Sequence, residues 1–249
     1  MRMTTAMSIV LHRFPLSHFS EKGRALLDFK GLDYRIVEHT LGPPQLRLKK
    51  LSGQRKVPVI EHEGRVVSDS TKIAHYLDER FPDRRTLIPK DDPQRSEVLA
   101  LEHRIDHVFG TGAPLLWFEY ALRHRDHFDL LAMEVWGATV VGMRALGTGV
   151  RVARAFGVGD AFVDKWRTRT RALLLDFVQR LERGPYLVGD APTLADVAAV
   201  GLPFHLEFPK TKHLAVPEFA GRGVPEIVDD PELRPFFEWR RKFYADHLT

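Results

Sequence analysis

Residues 54–77 read QRKVPVIEHEGRVVSDSTKIAHYL. Two short β-type runs, Val57–Ile60 and Arg65–Val67, flank Glu63-Gly64, a pair suited to a tight hairpin turn. A helical pattern follows, with Ile73, Ala74, Tyr76 and Leu77 as its apolar positions. Pro58 falls inside the first run, where a proline removes a ladder hydrogen bond and is pushed to an edge or a bulge. A cis Val57–Pro58 bond, which proline tolerates, would turn the chain and leave the N–H and C=O of Val57 facing outward. An extended peptide could pair with those groups as an added strand. Ser70 is placed to cap a helix beginning at Thr71, so its hydroxyl and the first free N–H groups would receive a carboxylate. Asp69 beside it can hold an ammonium group. Singly, these are an edge-strand proline, a capping serine and a helix-dipole aspartate. Together, in this order, they favour a site for a short peptide with free α-amino and α-carboxyl groups.

Outward from that stretch, the first ninety residues follow the order β-α-β-α-β-β-α. Ile9–Phe14 and Tyr34–Val37 are β-type runs, Ser20–Lys30 is a helix stopped by Gly31, and Gln45–Leu51 is a weak helix. From Asp91 no convincing strand appears. Pro93–Phe109, Asp160–Leu181, Thr193–Gly201 and Pro231–His247 read as helices, and Thr193-Leu-Ala-Asp196 is a capping box. The boundary falls in Pro82–Pro93, which holds three prolines. The expected fold class is α/β plus all-α: a small domain over residues 1–85, then an all-helical domain over 91–249 with an enlarged middle segment.

Composition narrows the function. With 37 basic and 33 acidic residues the net charge is only +4, so a nucleic-acid partner is not expected. No cysteine is present, which removes disulfides, thiolate metal sites and a cysteine nucleophile. The most apolar stretch, Val135–Met143, is far shorter than the roughly 20 residues of a membrane span. Met1–Met7 has no apolar run of the signal-peptide kind, and a cytoplasmic location is expected. His103 and His107 are spaced to share a helix face beside Glu102 and Asp106, but no third ligand stands at a supporting spacing, so no metal site is expected.

RKVPVIEHEGRVVSDSTKIAHYLDERFP (55–82), SHFSEKGRALLDFKGLDY (17–34) and GPYLVGDAPTLADVAAVGLPF (184–204) resemble the cytosolic glutathione transferase family, in its serine-type, bacterial-like form, over nearly the whole chain. The resemblance implies a thioredoxin-like N-terminal domain that binds glutathione as co-substrate and a helical domain that helps enclose an apolar electrophile. Val57, at the bond to Pro58, would pair with the cysteinyl backbone, and Asp69 and Ser70 would hold the γ-glutamyl end. Gln54 and Lys56, with Lys49 behind them, are candidates for the glycine carboxylate. Ser17 aligns with the activating serine, with Ser20 as runner-up; both could also be caps of the first helix, and the activating role is favoured for Ser17. Trp117, Phe118 and Tyr120 fall where the family lines the electrophile pocket, although aromatic clusters on helices are as often core. A homodimer is implied.

The absence of cysteine disfavours thiol transfer and leaves conjugation or glutathione-dependent elimination. A catalytically idle binding or scaffold protein is one alternative on the same fold. Glutathione-dependent dehalogenation or ether cleavage is another, since VPVIEHEGRVVSDS also resembles bacterial enzymes of that kind. The segment 110–159 is longer than a compact family member needs. Its Gly147-Thr-Gly149 and Gly157-Val-Gly159 follow no strand and are not dinucleotide loops. Trp136 and Met143 could extend or cover a pocket there.

Overall fold

A computed structural model of the chain describes residues 9–40, 45–136 and 159–248. Four strands form one sheet: β1 (Ile9–Arg13), β2 (Tyr34–Glu38), β3 (Val59–His62) and β4 (Arg65–Ser68), in the order β2-β1-β3-β4. β1 runs parallel to β2 and antiparallel to β3, and β3 and β4 form the hairpin. Glu63 and Gly64 both take positive φ, 49° and 77°, as the tight hairpin turn requires. The register sets Leu11 between Ile36 and Ile60, with Val67 opposite Ile60. Helices α1 (His18–Phe29) and α3 (Ser70–Arg80) pack on each other and on the sheet, and α2 (Gln45–Ser52) packs against β4. This is a thioredoxin-like N-terminal domain.

The helical C-terminal domain contains α4 (Gln94–Ala121), α5 (Arg125–Trp136), α6 (Asp160–Leu181), α7 (Leu194–Gly201), a single-turn α8 (Pro225–Val228) and α9 (Arg234–His247). Among the described residues its only β pairing is the isolated bridge Glu207–Gly223. α6 matches the helix expected over Asp160–Leu181. α4 instead runs a further three turns past Phe109, through Gly110, Gly112 and Pro114. Tertiary packing overrides those breakers, because α4 approaches α6 so closely at Gly112 that a Cβ there would overlap the Thr170 hydroxyl. Most of the expected enlargement, 137–158, with Met143, Gly147-Thr-Gly149 and Gly157, and the side chains of 131–136, lies outside the described residues.

The two domains share one apolar interior, into which α1 sends Ala25, Leu26 and Phe29 and α7 sends Val197 and Val200. α7 starts from the capping box: the Asp196 carboxylate accepts from the Thr193 N–H at 2.7 Å, the Thr193 hydroxyl at 2.9 Å and the Leu187 N–H at 2.8 Å. Its far end meets α1 at Gly201, where a Cβ would stand 2.9 Å from the Lys22 Cα. Gly201→Ala therefore forces backbone apart at the domain interface. It should destabilise the chain by about 1–3 kcal/mol, the usual cost of overpacking. An unchanged urea midpoint would show that the two helices can separate freely.

Candidate functional site

The N-terminus of α1 is built by two serines with different duties. Ser17 is the N-cap (φ −89°, ψ 119°), and its Oγ accepts the Ser20 N–H at 3.2 Å. It is half-buried, and among the described residues its hydroxyl proton has no acceptor. Ser20 is 2% exposed, and its Oγ accepts the Phe14 N–H at 3.2 Å, fastening the turn after β1. Of the two serines left open by the sequence, Ser17 is the one only half-buried at the positive end of the helix, whereas Ser20 is buried.

Pro58 lies just ahead of β3, and not inside it as the sequence suggested; the ladder begins at Val59 and loses no hydrogen bond to the proline. The Val57–Pro58 bond is cis. The Val57 N–H and C=O make no hydrogen bond among the described residues, so this edge is available to an extended ligand. Gly23 of α1 sits directly against the Pro58 ring, where a Cβ would come within 2.8 Å of it. α1 therefore carries Ser17 at its mouth and braces the Val57–Pro58 edge along its side.

At α3 the capping roles differ from the sequence reading. Asp69, not Ser70, is the N-cap: its Oδ1 accepts the N–H groups of Thr71 (3.0 Å) and Lys72 (3.1 Å), and the helix begins at Ser70. A carboxylate takes two orphan donors where a hydroxyl would take one. Those two N–H groups are thus spent, leaving the Ser70 N–H and hydroxyl. Asp69 is exposed and holds φ 82°, ψ 127°, a region that non-glycine residues rarely occupy and that collects at functional sites.

Behind α3 stands a charged cluster that sequence reasoning did not assemble. Lys22, fully buried on α1, donates to Glu102 at 2.6 Å and to Asp106 at 2.5 Å on α4; the Thr71 hydroxyl donates to Glu102 at 2.5 Å. Burial pushes the Asp106 carboxyl up to about 6; Lys22 pulls it down, while the charges of Glu102 and Asp69 add to the rise. The sequence did hold a signal. Lys22 shares a helical stripe with Ala25, Leu26 and Phe29, and a lysine there must find carboxylates.

The remaining candidates are placed less centrally. Gln54 and Lys56 lie between α2 and Pro58, and Lys49 is in the last turn of α2; among the described residues none has a side-chain bond to the cluster. Trp117, open between pocket and core, is core. It is 2% exposed, its Nε1 donates to His127 Nδ1 at 3.0 Å, and its ring stacks on His205 with centroids 5.0 Å apart. Its polar edge and one face are thereby occupied. Phe118 and Tyr120 are half-buried, and Tyr120 stacks on His124. His107 packs on Trp166, and among the described residues no three potential ligands converge on a metal position.

Comparison with known proteins agrees with this architecture. Residues 11–85 match the family model described as glutathione S-transferase, N-terminal domain, and 149–228 match that for the C-terminal domain; together they cover more than half of the chain. A probable glutathione S-transferase of Oryza sativa subsp. japonica is 38% identical over 88 residues, 35% of this chain and 38% of that protein. One from Nicotiana plumbaginifolia is 30% identical over 107 residues, 42% and 49% of the two chains. The chain thus spans about half the length, or less, of these curated relatives. Among solved structures, a beta-etherase from Sphingobium sp. superposes with TM-score 0.60 at 22% identity over 93% of this chain and 99% of that one. A rice transferase in complex with glutathione gives TM-score 0.57 at 21% identity over 99% and 92%. No described helix is long and apolar enough to cross a membrane.

The division of labour between the serines is measurable. Ser20→Ala leaves the half-buried Phe14 N–H without its acceptor and empties a buried position, and should lower stability by about 1–3 kcal/mol. Ser17→Ala removes a half-exposed cap and should cost about 1 kcal/mol or less. Thermal melts showing the reverse order would refute the assignment.

Proposed function

The chain belongs to the glutathione S-transferase family, and from that premise we propose that it is a serine-type transferase joining glutathione to an apolar electrophile. One observation carries the reading: a half-buried serine hydroxyl, its proton uncommitted among the described residues, caps the helix that braces an unpaired backbone edge.

A free thiol of this kind has a pKa near 8.5 and is mostly protonated at neutral pH. Ser17 would donate its hydroxyl proton to the thiolate, and the α1 dipole would add to the preference for that charge. The backbone of Val57, beside Pro58, would pair with the cysteinyl residue as an added strand. The γ-glutamyl carboxylate would take the Ser70 N–H and hydroxyl. Its ammonium group would face Asp69, whose Oδ2 is not used in capping, with Asp106 adding to the attraction. Three carboxylates against one buried lysine leave this corner negative, which suits a cation. Gln54 and Lys56 would receive the glycine carboxylate. Phe118 and Tyr120, half-buried on α4, are proposed for the electrophile pocket. A cytoplasmic homodimer accords with the family.

In the reaction the thiol proton passes to solvent, sulfur bonds to the electrophilic carbon, and the displaced group leaves with the bonding pair. With an aromatic halide, Ser17→Ala should lower kcat/KM at pH 7 about ten- to a hundredfold, the worth of a hydrogen bond to a charged atom. The rise of rate with pH should move toward the free thiol value, about 8.5. Unchanged turnover and pH profile would remove Ser17 from the chemistry. Release of phenol or halide without a stable conjugate would identify bond cleavage in place of addition.

Asp106 gives a second, independent signature. Because its carboxyl is held up at about 6, it becomes an anion, and attracts the ammonium group, only as pH rises through that value. Glutathione KM should fall between pH 5 and 7 by about two- to fivefold, the scale of a partly exposed charge pair. Asp106→Asn should flatten that dependence and leave kcat near its original value.

A further inference from the structure

The backbone on both sides of Ser17 is tied to the helical domain by a histidine. His18 follows it, and its ring hydrogen-bonds the Gly110 carbonyl of α4. Leu16 precedes it, and its carbonyl accepts from His205, in the 3-10 turn Leu202–His205 that follows α7. The two imidazoles meet with centroids 5.2 Å apart and planes at 62°. His205 is 4% exposed and is held from other sides by the stacked ring of Trp117 and the edge of Phe204.

Pro114 makes the Gly110 carbonyl available. Within a helix that carbonyl would accept the N–H of residue 114, and proline has none. A carbonyl inside the fold needs another donor, and His18 supplies it. Leu16 is likewise outside regular structure, since β1 ends at Arg13 and α1 begins at His18. The turn's own backbone bond, from the Ser17 N–H to the Phe14 carbonyl at 3.1 Å, fixes Ser17 to the N-terminal domain alone. The histidines add the second attachment.

Both rings are neutral. Desolvation lowers His18 to about 4 against the bond to Gly110, and lowers His205 well below its usual range, with the charge of His18 adding to the fall. A neutral imidazole has one N–H, and here each is spent on a carbonyl. The His18 Nε2 and His205 Nδ1 are buried and have no partner among the described residues. Unmet buried acceptors cost stability, and aliphatic side chains in their place would not. What the imidazoles supply in return is an N–H at a set point on each side of Ser17.

We propose that His18 and His205 are positioning residues for Ser17, clamping the turn that carries it to the helical domain and so fixing where its hydroxyl points. The inference rests on the assignment of Ser17 to the glutathione thiolate.

The test is the pH profile of the rate with an aromatic halide at saturating glutathione, which follows ionisation of the bound thiol. His205→Leu cannot donate to the Leu16 carbonyl. It should move the profile toward the free thiol value, about 8.5, and lower the rate at pH 7 about tenfold or more, with glutathione KM within about twofold of the original. His205→Gln, whose amide still donates, should bring both back toward the original. His18→Leu and His18→Asn should behave as the matching pair, and at a half-buried position they give the answer should His205→Leu not fold. A lowered melting temperature with the original pH profile would make the histidines packing residues only and overturn the clamp. Ser17→Ala, run alongside, separates the two readings. An effect of Ser17→Ala without one of the leucine variants overturns the clamp and leaves Ser17 in the chemistry; no effect of Ser17→Ala removes Ser17 from the chemistry and the clamp with it.

Discussion

Helix α1 carries its charges inward. Lys22 and Arg24 are both fully buried, the first held by Glu102 and Asp106 of α4, the second by Glu21 and Asp28 on its own helix. A buried ion without its partner destabilises a protein by about 3–5 kcal/mol, so neither pair can be broken casually. Burial alone would raise the Glu21 carboxyl, but the charge and hydrogen bonds of Arg24 hold it below the usual range. These constraints set where α1 lies, and much else follows from its position. The helix presents Ser17 at one end and receives Pro58 on Gly23. It also accepts α7 at Lys22, where only a glycine fits.

The same arrangement divides the candidate site by charge. At the mouth of α1 the hydroxyl of Ser17 and the helix dipole favour an anion. At the mouth of α3 the carboxylates of Asp69, Glu102 and Asp106 outnumber Lys22 and favour a cation. The unpaired backbone of Val57 belongs to the edge between them. A peptide with a thiol in its middle and an ammonium at one end matches that order of demands. Asp69 meets its own demand at some conformational cost, holding a positive φ while capping α3 with one carboxylate oxygen.

What could be read from the sequence was local. The hairpin was legible because Glu63-Gly64 is a turn pair between alternating runs, and α6 because its apolar periodicity is long and starts after glycine. The Thr193–Asp196 box announced α7 for the same reason. What could not be read depends on groups distant along the chain. Whether Ser70 or Asp69 caps α3 turns on one residue of helix phase, which the polar run Ser68-Asp69-Ser70 leaves open. α4 keeps Gly112 because Thr170 needs the space, and nothing in the α4 sequence says so. Trp117 is core because His127 and His205 come to meet it. Lys22 advertised a need for carboxylates, but not that Glu102 and Asp106 would answer it.

One contact has a bearing on how the protein is made. Tyr244 donates its hydroxyl to Glu21, across a separation of 223 positions, and α9 packs on α6 and α7. During synthesis the sheet and its first helix leave the ribosome long before α9 does. Until then the Glu21 side of α1 lacks its cover, and its apolar neighbours face solvent or a chaperone. Assembly of the N-terminal half is therefore tied to the arrival of the C-terminus, and a chain released early would be open to proteolysis at its oldest part.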